Sequence, residues 1–243
     1  MESSSQTVAH SSKLDRTLVI MAKAPRPGRV KTRLTLSLPV EAVTAFYRCL
    51  LDDTVTLARS LGDVEIAIMC PEPDVDELAC LVGDGIRVVA QTGEGLAAGL
   101  TSAFARFAAF SRQRVVAFNS DSPHLPASVL ENAFESLIRH DVIVGPTHDG
   151  GYYLVGATAN HPALFEADGM GTRSALDALL ARARTLQLSV GFTDPFYDID
   201  LAADLVRLAG ELQLAPTRAP RTAAWLKQWG TKLAHLQTGA RNL

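Results

Sequence analysis

Short apolar runs alternate along this chain with longer stretches in which apolar residues recur every three to four positions. The first pattern is typical of buried β-strands and the second of amphipathic α-helices. The apolar runs predict strands over Thr17–Ala22, Val64–Met69, Ile86–Ala90, Arg114–Phe118, Val142–Val144, Tyr152–Val155 and Leu186–Val190. The periodic stretches predict helices over Val40–Leu61, Val75–Leu81, Leu96–Phe110, Ala127–His140 and Ser174–Ala183. Strands and helices therefore follow one another in alternation.

This alternation predicts an architecture. A helix that connects two neighbouring strands lets them run parallel, so we expect an α/β fold, a three-layer α/β/α sandwich around a mainly parallel sheet. With 243 residues, 47% of them hydrophobic, the chain can bury one sizeable core. We expect a disordered polar leader over residues 1–16, one domain over residues 17–215 and a basic tail over residues 216–243. Trp225 and Trp229 predict a tail helix that docks on the domain, with a partner or an anionic surface as the alternative.

Composition narrows the classes of function. The longest apolar stretches are shorter than the roughly 18 residues of a membrane span, and the polar N-terminus lacks the apolar core of a signal peptide. A formal net charge of −3 gives no support to a general nucleic-acid-binding role. The three cysteines show no metal-binding or disulfide spacing, which favours buried, reduced thiols. We expect a cytoplasmic protein with no nucleic-acid partner and no membrane span, whose tail packs internally or against a second copy in a homodimer.

A cationic segment follows the first predicted strand. The stretch "KAPRPGRVKTR", residues 23–33, has no acidic residue and five basic ones: Lys23, Arg26, Arg29, Lys31 and Arg33. Its two prolines stiffen the path and Gly28 permits a tight turn, but the segment has neither the glycine pattern of a P-loop nor that of a Rossmann turn. Because like charges held together repel, a bound polyphosphate is favoured over a solvated surface loop.

Carboxylates follow two other elements. In "VVAFNSDSPHLP" an apolar strand runs into Asp121, where a carboxylate can hold Mg²⁺ or Mn²⁺, or else cap a turn. In "DPFYDIDLAADL" Asp198 and Asp200 lie two apart and share one face of an extended segment. One of this pair, more readily Asp200, is a candidate for the second metal ligand.

The stretch "VGPTHDGGYYLVG" combines two predicted strands with a polar connection. Gly150 and Gly151 allow close approach of backbone to a ligand, and Asp149 is placed to orient an acceptor hydroxyl or to act as a base. Tyr152 or Tyr153 could pack on a sugar or base ring. A tight hairpin around "DGG" is the alternative interpretation.

The motifs "AKAPRPGRVKTRL", "NSDSPHLP", "GPTHDGGYYLVG" and "DID", in this order, resemble the rSAM/selenodomain-associated transferase family over about residues 17–208. That family is assigned to the GT-A, nucleotide-diphospho-sugar transferase fold and is often labelled an arsenosugar-type glycosyltransferase. The resemblance implies a nucleotide-binding set of Lys23, Arg26, Gly28, Lys31, Arg33, Gln91 and Asn119. It implies metal ligands among Asp121, Asp200 and Asp198, and a substrate side made of Asp149, Gly150, Gly151, Tyr152 and Thr172. The catalytic residues would be Asp121, Asp149 and Lys31.

Three positions depart from the family pattern. "QTGEGLAAGL" has Gly95 and Gly99 where an acidic residue and an arginine are usual, "MGT" keeps only Thr172 of a Trp-Ser-Thr element, and Leu201 replaces a threonine after "DID". These departures bear on base and acceptor recognition rather than on the fold.

The resemblance implies a metal-dependent glycosyltransferase that moves a sugar from a nucleoside-diphosphate-sugar to a small-molecule acceptor. The "KTRL" element also resembles 2-phospho-lactate guanylyltransferases, so the alternative is a nucleotidyltransferase that joins an NTP to a phosphorylated small molecule and releases pyrophosphate. A diverged, non-catalytic nucleotide-binding protein is the third possibility.

Overall fold

The computed structural model describes residues 15–109, 113–166 and 174–239. Its strands are β1 Arg16–Met21, β2 Glu65–Cys70, β3 Arg87–Ala90, β4 Arg114–Asn119, β5 Val142–Pro146, β6 Tyr152–Ala157 and β7 Val190–Phe192. They form one sheet of seven strands in the order β3-β2-β1-β4-β6-β5-β7. Only β6 runs antiparallel to its neighbours, so the prediction of a mainly parallel sheet is confirmed.

The helices are α1 Val40–Arg59, α2 Val75–Val82, α3 Gly95–Phe107, α4 Ala127–Ser136, α5 Ala175–Thr185, α6 Ala202–Leu214 and α7 Pro220–Gly239. Within the described ranges, no helix has the length and apolarity that crossing a membrane requires. The side chains of Cys49, Cys70 and Cys80 are free thiols, but only Cys70 is buried, while Cys49 is partly buried and Cys80 is exposed, so the expected burial is wrong for two of the three.

Adjacent residues of the strands point to opposite faces of the sheet, and each face has its own core. Ile20 belongs to the cluster that α1, α2 and α4 cover, whereas Val19 belongs to the cluster that α3 and α5 cover. A third cluster lies on the far side of α1, where α6, α7 and the segment from Val30 to Leu38 pack against it. The predicted three-layer α/β/α sandwich is thus confirmed, with α6 and α7 stacked outside α1.

One predicted strand is wrong over most of its length. Only Val190 of Leu186–Val190 lies in β7, because α5 continues to Thr185 and its last turn bonds the Leu186 amide to a helical carbonyl. The apolar residues before β7 therefore belong to a turn.

Two predicted helices also end earlier than expected, and the first strand begins earlier. Helix α4 ends at Ser136, four residues before His140, and α3 ends at Phe107, while Phe110 lies outside the described residues. Arg16, expected in the leader, is the first residue of β1.

The start of α7 is fixed by a buried carboxylate. Asp53 of α1 is 1% exposed and accepts hydrogen bonds from the backbone N–H groups of Arg221 at 3.2 Å and Thr222 at 2.8 Å. These amides lie in the first turn of α7, where they have no partner within the helix. One turn later Trp225 packs on Phe46 with ring centroids 4.7 Å apart, so the docking of this tryptophan on the domain is confirmed.

The loop between β4 and α4 contains a buried imidazole. His124 is 1% exposed and packs between Phe196 and Tyr197. Burial first, and then the positive charges of Arg207 and Arg218, lower the pKa of His124 to about 3. The nearest carboxylate is that of Glu211, 3.8 Å from Nε2. The ring is therefore neutral in the folded protein and belongs to the core.

We expect Asp53→Ala to lower the free energy of unfolding by about 2 kcal/mol, because it removes a helix cap and leaves two buried amides without acceptors. Equilibrium urea unfolding measures the change. Asp52→Ala is the matched control, since Asp52 is 26% exposed and pairs with Arg48 at the surface, which contributes at most about 1 kcal/mol. Equal effects of the two substitutions would contradict this assignment.

We expect acid to destabilise the protein through His124. Below its ordinary pKa of 6.5 the unfolded chain binds a proton that the folded protein does not bind until about pH 3. The free energy of unfolding therefore falls as pH decreases from 6.5 toward 3, by about 2 kcal/mol at pH 5. Urea unfolding at pH 7 and pH 5 should show this loss in the wild type and not in His124→Phe. His148→Asn, at an exposed histidine, should keep the wild-type loss.

Candidate active site

A cavity of about 1080 Å³ opens beyond the carboxyl ends of β1, β2, β3 and β4. In open α/β sheets this is the edge at which ligands bind. The segments that follow these strands supply most of its lining, namely residues 22–33, 71–74, 91–96 and 120–121. Asp200, from the loop before α6, completes it. The cavity thus gathers side chains that lie far apart in the sequence.

Acidic residues neutralise much of the cationic segment. Arg26 pairs with Asp74 at 2.8 Å and with Glu77 at 2.8 Å, and it also donates to the Pro73 carbonyl. The same Asp74 carboxylate accepts the backbone N–H of Ala24 at 3.0 Å. The protein itself therefore neutralises part of the segment, because the folded chain brings acids from α2 and from distant loops onto it.

The deepest charge in the cavity is the Lys31 ammonium. Its Nζ lies 2.8 Å from an oxygen of Asp121 and 3.0 Å from an oxygen of Asp200, and the Lys31 side chain is only 4% exposed. The other oxygen of Asp200 accepts a hydrogen bond from the exposed Arg33 guanidinium at 3.3 Å. Two of the three carboxylates predicted as metal ligands, those of Asp121 and Asp200, therefore bind one cation.

Burial alone would lower the pKa of Lys31, but the carboxylates of Asp121 and Asp200 raise it above its ordinary value. Asp198 lies behind them, where burial and then the charge of Asp121 raise its pKa to about 7. Asn119 donates to Asp198 at 2.6 Å and accepts the backbone N–H of Asp121 at 3.2 Å. Neither Asn119 nor Asp198 lines the cavity, so both hold the Asp121 loop from behind.

Tyr47 joins the cationic segment to the loop after β4. Its hydroxyl accepts the backbone N–H of Lys23 and donates toward the Lys23 carbonyl, each at 3.1 Å, and it lies 3.1 Å from the hydroxyl of Ser120. Burial, and then the charge of Asp121, raise the pKa of Tyr47 to about 12, which keeps the phenol protonated. The sequence analysis missed this residue because it lies on a face of α1 that the apolar pattern assigned to the core.

Residues 91–96, which follow β3, form another part of the cavity wall. Gln91 donates through its side-chain amide to the carbonyls of Gly93 at 2.9 Å and Gly95 at 3.2 Å. Both glycines have positive φ, which other residues rarely adopt. A Cβ at Gly99 would lie 2.8 Å from the Gln91 side chain. The glycines that depart from the family pattern therefore let this loop fold over the start of α3.

The stretch predicted as the acceptor side forms a hairpin turn. Asp149 accepts hydrogen bonds from the Thr147 hydroxyl at 2.6 Å and from the Gly151 backbone N–H at 3.2 Å. Because β6 is antiparallel to β4, this turn lies at the edge of the sheet where β4 ends. Tyr152 packs into the core on the α3 and α5 side.

The structure brings most of the predicted site residues to one cavity and leaves others outside it. Those that line the cavity are Lys23, Arg26, Gly28, Lys31, Arg33, Gln91, Asp121 and Asp200. Those that do not line it, although the structure describes them, are Asn119, Asp149, Gly150, Gly151, Tyr152 and Asp198. Thr172 lies outside the described residues. Among the described residues no three acidic, histidine or cysteine side chains form a metal-binding group by themselves.

The fold is that of known transferases. A protein of Desulfovibrio desulfuricans G20, assigned as a nucleotide-diphospho-sugar transferase, matches with a TM-score of 0.82 and 24% identity over 91% of this chain and 97% of that chain. The 4-diphosphocytidyl-2C-methyl-D-erythritol synthase of Anaerococcus prevotii DSM 20548 matches with a TM-score of 0.55 and 11% identity, over 83% and 97% of the two chains. The inositol-1-phosphate CTP transferase of T. maritima gives 0.55 and 16%, over 79% and 91%.

Comparison of sequences gives a partial match to a family. No protein with a curated description matches the chain. Residues 54–172, just under half of the chain, match the family described as "Uncharacterized protein conserved in bacteria (DUF2064)". The fold of the chain is the GT-A-like fold of the nucleotide-diphospho-sugar transferases.

Proposed function

We propose that the protein is a metal-dependent glycosyltransferase, which moves a sugar from a nucleoside-diphosphate-sugar to a small-molecule acceptor. The observation that carries the proposal is the convergence of exposed cations with the Asp121–Lys31–Asp200 ion cluster on one side of the cavity. Cationic side chains bind phosphate oxygens, and carboxylates hold divalent cations. A diphosphate bound together with a metal ion is the ligand whose chemistry matches both.

The phosphate oxygens would be bound by the side chains of Lys23, Arg29 and Arg33, which line the cavity and are exposed. Within the described part of the chain neither Lys23 nor Arg29 has an ion pair, so both are available to an anion. Arg26 would act indirectly, since its carboxylate partners hold the segment in place.

The carboxylates of Asp121 and Asp200 fit Mg²⁺ or Mn²⁺. Both are hard oxygen donors, and both already share one cation, the Lys31 ammonium. These metal ions are commonly held by one or two carboxylates together with substrate phosphates, so a third protein ligand is not required. When bound, the ion would supply positive charge to the departing diphosphate. Asp198 would support Asp121 from behind.

The rest of the cavity and the neighbouring hairpin would bind the nucleoside and the acceptor. We assign the nucleoside to residues 91–96, because they line the cavity beyond the end of β3, two strands away from β1 and the cationic segment. We assign the acceptor to the hairpin of Asp149, Gly150 and Gly151, which lies outside the cavity lining at the same edge of the sheet. Asp149 already accepts two hydrogen bonds in its turn, which favours a role in shaping this side over a role as a base.

Nucleotidyl transfer is the second candidate, and the charge of the cavity favours it. Three exposed cations and Lys31 suit the three phosphates of an NTP as well as the two of a nucleotide sugar. Two proteins of the same fold are named for CTP transfer or for a cytidyl product. In this reaction a phosphorylated acceptor attacks the α-phosphate, and pyrophosphate leaves.

The leaving group distinguishes the two reactions. The protein is incubated with each common nucleotide sugar and each NTP, with Mg²⁺ or Mn²⁺ and a panel of sugars, polyols and their phosphates, and the products are resolved by ³¹P NMR. A nucleoside diphosphate identifies glycosyl transfer and pyrophosphate identifies nucleotidyl transfer. Metal-dependent thermal stabilisation by a nucleotide with no product from any acceptor would favour the non-catalytic alternative.

We expect Asp121→Asn to reduce turnover with the identified donor at least about a hundredfold. The substitution removes a carboxylate that would hold the metal ion, and with it the positive charge beside the departing phosphate. Initial rates at saturating donor and metal measure the loss. Asp63→Asn is the matched control, since Asp63 is exposed in a turn far from the cavity lining, and it should keep wild-type rates. Undiminished turnover in Asp121→Asn would contradict the proposed site.

A further inference from the structure

The Lys31 ammonium lies between Asp121 and Asp200, the two carboxylates that a divalent cation would need as ligands. Asp121 comes from the end of β4 and Asp200 from the loop before α6, yet one Nζ lies within 3.0 Å of an oxygen of each. The carboxylates are 26% and 40% exposed, whereas the Lys31 side chain is 4% exposed. The ammonium therefore lies beneath the carboxylates and neutralises them from the interior.

The backbone at Lys31 shows that the side chain matters at this position. Its φ is +46°, in the left-handed region that glycine adopts more easily. Val30, the residue before Lys31, is buried. The Lys31 carbonyl accepts a hydrogen bond from the Leu34 backbone N–H at 2.9 Å, and this bond begins the short helical turn that follows. A glycine would fit this backbone with less strain, so the ammonium is what the position gains from a lysine.

We propose that Lys31 is an internal counter-cation. When a divalent cation binds Asp121 and Asp200, the Lys31 ammonium moves from these carboxylates to the substrate phosphates, and this exchange couples metal binding to nucleotide binding. This inference rests on the proposed function and goes beyond it, because it assigns Lys31 two alternative partners. The lysine side chain is a flexible four-carbon stem with a compact charge, so it can change partners without movement of the backbone.

The exchange makes the two ligands depend on each other. Metal alone has to displace a buried ammonium that gains no new partner. A phosphate ligand alone meets an ammonium that the carboxylates already neutralise. When both bind, the metal takes the carboxylates and the phosphates take the ammonium, so each ligand raises the affinity of the other by the same factor.

Removal of the ammonium should therefore change metal binding in the absence of any nucleotide. In titrations of the full chain with Mn²⁺ alone, followed by EPR of free Mn²⁺, we expect Lys31→Met to bind Mn²⁺ at least about tenfold more tightly than the wild type. Arg139→Met is the control, since it removes a positive charge at an exposed side chain that does not line the cavity and has no ion pair among the described residues. At 0.15 M salt it should bind Mn²⁺ within about twofold of the wild type.

The coupling itself is measured with inorganic pyrophosphate as the phosphate probe. Saturating pyrophosphate should tighten Mn²⁺ binding by at least about tenfold more in the wild type than in Lys31→Met. Chelation of Mn²⁺ by pyrophosphate in solution is common to both proteins and cancels in this comparison. If Lys31→Met fails to fold by circular dichroism, Lys31→Gly provides the same test, because glycine suits the backbone.

The outcomes separate this inference from the proposed function. If Mn²⁺ and pyrophosphate bind the wild type but Mn²⁺ binds the Lys31 variants no more tightly, Lys31 is not a counter-cation and the proposed function stands. If neither Mn²⁺ nor pyrophosphate binds the wild type, and no nucleotide stabilises it, the proposed function fails and this inference fails with it.

Discussion

Three parts of the chain meet at the Lys31 ammonium: the segment after β1, the end of β4 and the loop before α6. Lys31 and Asp200 are 169 positions apart in the sequence. Among the described residues, no other ion pair between these two regions involves a side chain as buried as that of Lys31. Two carboxylates at this depth repel each other unless a cation lies between them. The arrangement of the cavity therefore depends on one charge that the chain itself provides.

Three of the remaining cations of the segment divide into two groups with different functions. Arg26 is held by Asp74 and Glu77, so it fixes the position of the segment against α2. Lys23 and Arg29 are exposed and make no ion pair within the described part of the chain, so they are available to a ligand. Tyr47 joins the segment to the loop after β4, because its buried hydroxyl bonds both the Lys23 backbone and the Ser120 hydroxyl. A rigid frame with a few free charges is suited to an anion better than a flexible basic loop is.

The sequence predicted those features that depend on local pattern. The alternation of apolar runs and periodic stretches gave the fold class, and the position of Asp121 directly after an apolar strand placed its carboxylate at the correct edge of the sheet. It could not predict that Arg26 would be neutralised, because Asp74 is 48 positions away and is brought there by the pairing of β1 with β2. For the same reason the partners of Tyr47 depend on tertiary packing. The end of α5 was not predicted, because an apolar residue such as Leu186 gives the same sequence pattern in a turn as in a strand.

The two candidate reactions make the same demands on the residues that bind phosphate and metal, and they differ in what the acceptor site must bind. A nucleoside diphosphate and a pyrophosphate present nearly the same oxygens to the cationic segment and to a metal ion, so Lys31, Asp121 and Asp200 suit either leaving group. Glycosyl transfer, however, requires a surface that orients a sugar and its acceptor, whereas nucleotidyl transfer requires a site for an acceptor phosphate. In the hairpin turn, the Asp149 carboxylate accepts hydrogen bonds from the Thr147 hydroxyl and the Gly151 backbone N–H. The two glycines of the turn lie at the same edge of the sheet. A turn with no lysine or arginine between Thr147 and Gly151 is better suited to hydroxyl groups than to a second phosphate, and this supports the proposal of glycosyl transfer.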